Sequence, residues 1–140
     1  MRFALSRWAP ALIWMTAIFV ASGTPASEIP QFGTMDFAVK KGGHFLAYGL
    51  LALAYRRGLG WEKGRLPAAW LLAVIYALLD EFHQSFVPGR HPSFIDALLF
   101  DGGGALTALA LSMLLWHPRG GIAAGDAKNV APVAGKAGGK

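Results

Sequence analysis

The chain contains no cysteine, which excludes disulfides and thiolate metal sites and leaves its redox compartment unread. Charge is also scarce: only 15% of the 140 residues are Asp, Glu, Lys or Arg, and eight of these are acids. A soluble fold of this length needs a polar coat, and charges this few and this clustered do not supply one. Mean hydropathy is correspondingly positive. No helix face concentrates Lys and Arg in the way a DNA binder does. The basic residues sit between apolar runs, so the net charge of +5 points to a membrane and away from nucleic acid. The length allows one domain at most, and there is no internal repeat.

The apolar runs are four, at about residues 3–22, 42–59, 66–87 and 93–116, and each comes near the roughly 17–25 residues a spanning helix needs. The sequence therefore predicts an all-α, integral membrane bundle of four transmembrane helices over residues 1–118. Pro67 suits the first turn of the third helix, Pro88-Gly89 stops it, and His117-Pro118 ends the fourth. Arg56 and Arg57 close the second run, and their stems are expected to snorkel to an interface. Residues 119–140 are rich in Gly, Ala and Lys without periodicity. They read as a disordered cytoplasmic tail, weakly drawn to anionic lipid through Lys128, Lys136 and Lys140.

Basic residues set the orientation. With the N-terminus inside, the inner segments hold ten of them and the outer segments three, Lys40, Lys41 and Arg90. This predicts a multi-pass protein of the cytoplasmic membrane with both termini cytoplasmic. A competing reading takes residues 1–22 as a cleaved signal peptide, since an Arg-flanked apolar run followed by Ala-Ser-Gly has that form. The other three spans keep their orientation either way.

This topology gathers the polar residues on the outer side. Residues 78–100, LLDEFHQSFVPGRHPSFIDALLF, begin at the end of fourteen uncharged positions (66–79) and bring Asp80, Glu81, His83, Gln84, Arg90, Ser93 and Asp96 together. Leu66 to Leu79 covers only about 20 Å of a hydrocarbon core near 30 Å, so the two acids lie at its outer edge. On a helical wheel Asp80, Glu81, His83 and Gln84 form a polar face with Tyr76 one turn deeper, and Phe82 points the opposite way. His44, Tyr48, Leu51 and Tyr55 make one stripe on the second helix.

Several roles compete for these residues. Asp80 and Glu81 are either a satisfied helix-end cluster countered by Arg90 or a functional pair, as intramembrane acids often are. Glu81 with His44 or His83 has the makings of an acid–base pair or half a metal site. The spacing matches no ligand motif such as HExxH, and no metal or cofactor is expected. Ser93-Phe94-Ile95-Asp96 reads as a capping box. Arg90 is a counter-charge for Asp80, Glu81 or Asp96, or a clamp for a phosphate-bearing headgroup. Gly102-Gly103-Gly104 suits close helix packing.

Taken together, Lys41-x-x-His44-Phe45-x-x-Tyr48-x-x-Leu51, Asp80-Glu81-x-x-Gln84-x-Phe86-x-Pro88-Gly89-Arg90, and Ser93-x-x-Asp96 with Gly103 resemble the VanZ-like family of small bacterial membrane proteins. The resemblance covers roughly residues 10–116. It implies a helical membrane fold and a cell-envelope role of the kind linked to teicoplanin resistance, without supplying a reaction. Two positions depart from the family pattern: Lys40 stands where an acid usually precedes the motif lysine, and Phe100 where Asn usually follows the last acid by four residues. Asp101 comes next, and in a regular helix it points about 140° away from Asp96 unless the glycines distort the helix.

Three functions follow as expectations. The first is a non-enzymatic envelope factor binding an amphiphilic or lipid-linked ligand through His44, Tyr48, Tyr76, Asp80, Glu81, Gln84, Arg90, Ser93 and Asp96. The second is a membrane enzyme using Glu81 or Asp80 as base with His44 or His83. The third is a small structural membrane protein. Membrane lipids are the expected partners, with a lipid-linked precursor or amphiphile as ligand; the oligomeric state is left open.

Overall fold

The computed structural model describes residues 2–115, with side chains from residue 6 onward. It is all-helical, with no strand among the described residues. Four helices follow in chain order: α1 Arg2–Ser22, α2 Asp36–Leu59, α3 Leu66–Gln84 and α4 Phe94–Leu115. The number and order of helices match the sequence expectation. In length and apolar content, α3 with its leading turn (Lys63–Gln84) and α4 are able to cross a membrane. The tail expected at 119–140 and the His117-Pro118 stop lie outside the described residues.

Helix α2 begins at Asp36, six residues before the apolar run that announced it. Asp36 in its first turn pairs with Lys40 one turn on, at 2.7 Å, and this i,i+4 contact extends the helix back through a polar segment. Helix α3 starts with Pro67, whose missing N–H costs nothing in a first turn. It ends at Gln84 rather than Val87, because Phe86 and Val87 donate to His83 and Gln84 carbonyls in tightening turns. Gly89 then adopts a φ of 73°, a left-handed conformation open to glycine at little cost. Ser93 caps α4, its hydroxyl accepting from the Asp96 amide at 3.3 Å.

Helix α2 is central and touches the other three, with its most extensive face against α4. The stripe read from sequence is buried there: Tyr48, Leu51 and Tyr55 are enclosed, and His44 is half-buried. The remaining core is dominated by alanines from all four helices, including Ala11, Ala52, Ala69, Ala73, Ala77 and Ala105. Small side chains let helix backbones approach closely. Aromatic donors then cross between helices to main-chain carbonyls. Trp14 donates to Ala47 at 2.7 Å, Tyr76 to Met15 at 2.6 Å, and Trp70 to Gly102 at 3.0 Å. The large apolar side chains point outward instead: Leu12, Ile13, Leu46, Leu50, Leu71, Leu79, Leu99, Leu106, Leu111 and Leu114 are all exposed.

Two features depart from the sequence reading. Arg56 does not snorkel. It is 1% exposed, donates to the Ser112 hydroxyl of α4, and lies 4.7 Å from the centre of the Trp61 ring. Only Arg57 is exposed. Secondly, α4 is not uniform: a π-helical turn, Ala97–Asp101, separates the short α-helical start Phe94–Asp96 from the long run Gly102–Leu115.

Candidate functional site

At one end of the bundle a cavity of about 390 Å³ opens between α2, α3 and two connecting loops. Ala26 and Ile29 of the α1–α2 connection form one side, and Gly89, Arg90 and His91 of the α3–α4 turn form another. The two loops are tied together, since the Ala26 amide donates to the Pro88 carbonyl at 3.2 Å. Helix α2 lines the cavity with Asp36, Phe37, Lys40, Lys41 and His44, and α3 with Glu81 and Gln84.

The end of α3 supplies the acids, as its wheel predicts. Asp80, Glu81 and Gln84 are buried, while Phe82 is 57% exposed on the opposite face. Asp80 accepts on one oxygen from the Ser22 hydroxyl at 2.7 Å and the Gln84 amide at 2.9 Å, and its other oxygen is buried without a partner. Glu81 accepts the Ser93 backbone N–H at 2.6 Å. That bond holds the start of α4 against the end of α3 and is charge-assisted, hence among the stronger kind.

Arg90 is not the counter-charge of any of these acids. Asp96 pairs instead with Lys41 of α2, at 2.7 Å, and the Lys41 ammonium also lies 5.5 Å from the Phe100 ring centre. No ion pair of Arg90 occurs among the described residues, and its buried Nε has no partner. It lines the cavity. Lys40 takes Asp36 from the preceding turn as its partner. The Lys40 ammonium holds the Asp36 carboxyl below the ordinary carboxylate range.

His44 and His83 separate. His44 lines the cavity and its Nδ1 lies 3.2 Å from Asp101 of α4. His83 stacks on Phe19 of α1 at 4.1 Å between ring centres, with a buried, unpartnered Nδ1. It is not a lining residue of the cavity. Tyr48 and Tyr76 lie below the cavity with ring centres 6.3 Å apart. The Tyr48 hydroxyl is within electrostatic reach of Asp80, and Tyr76 is committed to α1. Ser93 and Asp96 serve the cap and the Lys41 pair.

Asp101 is the residue whose direction turned on whether the helix stays regular. Buried to 3% exposure, it reaches His44 because the π turn from Ala97 returns residues five apart to nearly the same face. Its ligating atoms, those of His44 and those of Glu81 all lie within 4.8 Å of one another. Lys40, Asp36, Phe37 and His91 were also absent from the sequence-derived set. Their signal was present only in the early start of α2 and in the PGRH turn, neither of which betrays a shared cavity without coordinates.

Comparison with curated proteins and with solved structures gives no match. A family model described as VanZ/LLP1 matches residues 7–116. That span takes in all four described helices apart from the first turn of α1, together with the cavity and its acids. The chain belongs to the VanZ/LLP1 family.

Proposed function

We propose that this chain is a four-span protein of the bacterial cytoplasmic membrane, with cytoplasmic termini, whose outward-facing cavity binds the anionic headgroup of an amphiphilic or lipid-linked envelope molecule. The observation that carries this reading is Arg90, a cavity-lining guanidinium with no acidic partner among the described residues, in a cavity that Lys40, Lys41 and His91 also line. Guanidinium is the side chain best matched to phosphate oxygens. The exposed leucines around the bundle supply the membrane half of the argument, because apolar surface on this scale is stable only against lipid or a partner. An enzyme reading is favoured by the proximity of Glu81 to His44 at the cavity wall, within 4.8 Å, two residue types suited to moving a proton.

Two outcomes are expected. A cysteine placed at position 90 is labelled by a membrane-impermeant maleimide in intact cells from which any outer membrane has been made permeable. Labelling only after lysis of the cytoplasmic membrane would refute the orientation. In detergent, Arg90→Ala leaves the melting temperature of the unliganded protein unchanged and abolishes the stabilisation given by undecaprenyl phosphate. A steep fall in melting temperature would assign Arg90 to holding helices together, and retained stabilisation would remove it from the headgroup site.

A further inference from the structure

Behind the cavity-lining Glu81, carboxyl groups outnumber cationic partners among the described residues. Asp80, Glu81 and Asp101 are each at least nine-tenths buried, and Asp80 lies within electrostatic reach of both His44 and Asp101. Buried carboxylates occur where they are paired or where they ligate a cation. Lys41, within electrostatic reach of Glu81 and Asp101, is engaged by Asp96. Among the described residues His44 alone makes an ion-pair contact with any of the three.

The local geometry also leaves ligating atoms free. Glu81 uses Oε2 for the Ser93 amide, and no hydrogen bond of its other oxygen occurs among the described residues, although Glu81 lines the cavity. The second oxygen of Asp80 is buried and unpartnered close by. Asp101 joins this group only through the π turn, a backbone irregularity that recurs at functional sites. The same turn in a plain α-helix would have directed Asp101 elsewhere.

We propose that His44, Glu81 and Asp101 form a binding site for a divalent transition cation of the Zn²⁺ or Mn²⁺ class. One imidazole nitrogen and two carboxylates suit such ions better than Ca²⁺ or Mg²⁺, which favour all-oxygen shells. Ligand atoms at about 2.0–2.2 Å from one ion stand roughly 3–4 Å apart. The His44–Asp101 contact of 3.2 Å already meets that spacing, and the 4.8 Å limit on the whole trio leaves only small side-chain shifts. Three protein ligands leave coordination positions open toward the cavity, where an anionic group beside Arg90 and Lys41 would meet the metal. The inference deepens the headgroup-binding reading but does not depend on it, because the cation site is testable without any lipid.

The test uses the full chain in detergent, freed of any affinity tag and of metal by a chelator, then titrated calorimetrically with Zn²⁺ and with Mn²⁺. One cation of either kind is expected to bind per chain, and Co²⁺ should give a visible absorption band as a spectroscopic stand-in. Asp101→Asn keeps the hydrogen-bonding shape and removes one anionic ligand; His44→Gln removes the nitrogen. Each is expected to weaken binding at least about tenfold, with elution profiles matching the parent as the check on folding. Should one variant fail to fold, the other decides. Absence of saturable binding, or binding that survives a folded variant undiminished, would overturn the site, and either result would leave the Arg90–lipid measurement standing.

Discussion

Replacing Gly104 with alanine is expected to cost about 3 kcal/mol or more of stability, the upper range for overpacking a helix contact. A methyl group at this position would meet the main chain of Phe45, with its carbonyl carbon at 2.8 Å and Cα at 2.9 Å. Main-chain atoms have no rotamer through which to yield, so α2 and α4 would have to separate along their most extensive interface. Gly49 faces the same contact from α2, and an added Cβ there would lie 3.2 Å from the Gly104 carbonyl. The neighbouring Gly103→Ala is the control: its new Cβ would stand 3.8 Å from the Phe45 ring, an ordinary contact. Alanine is also the better helix former by up to about 1 kcal/mol. Thermal unfolding in detergent should therefore show a large drop for Gly104→Ala and a neutral or slightly raised midpoint for Gly103→Ala. Equal midpoints for the two variants would mean that α2 and α4 do not pack as described.

Arg56→Ala should be the second most damaging change, at about 2–3 kcal/mol for the loss of charge-assisted hydrogen bonds. The side chain joins α2 to Ser112 of α4, reaches the Trp61 carbonyl at 3.5 Å, and lies over the Trp61 ring. Removing it leaves the Ser112 hydroxyl with its bond to the Leu109 carbonyl at 2.6 Å, so the loss falls mainly on contacts between α2, α4 and the Trp61 loop. Arg57→Ala, one residue on and exposed, should shift stability by no more than about 0.5 kcal/mol. Tryptophan fluorescence during denaturation would follow both. Equal effects from Arg56→Ala and Arg57→Ala would restore the interfacial role that the sequence assigns to both residues.

That pair shows where sequence patterning stopped being informative. Hydrophobic period and length locate all four helices, and the wheel of α3 correctly turns Phe82 away from Asp80, Glu81 and Gln84, because a regular helix converts spacing into direction. His83 falls outside that face since α1 packs beside it and offers Phe19 as a stacking partner, a neighbour no local pattern reveals. Arg56 and Arg57 look alike in sequence; Ser112, fifty-six residues away, distinguishes them. Arg90 is one counter-charge the sequence offers Asp96, yet Lys41 approaches from α2 and takes the contact. Asp101 depends on the backbone instead of on a neighbour. Its predicted direction assumed a constant rotation per residue, and the backbone does not keep that rotation between Ala97 and Asp101.

That uneven stretch has a further consequence for how the chain tolerates changes of length. A residue added to a continuous helix rotates everything after it by about 100°, which in α4 would swing Gly104, Ala105 and Leu109 off their buried face. A wider turn absorbs the extra residue where it is inserted. Asp101 follows Asp96 by five residues, and the glycines just beyond still meet α2. Residues 97–101 are therefore where a one-residue insertion or deletion is expected to leave the register on either side intact.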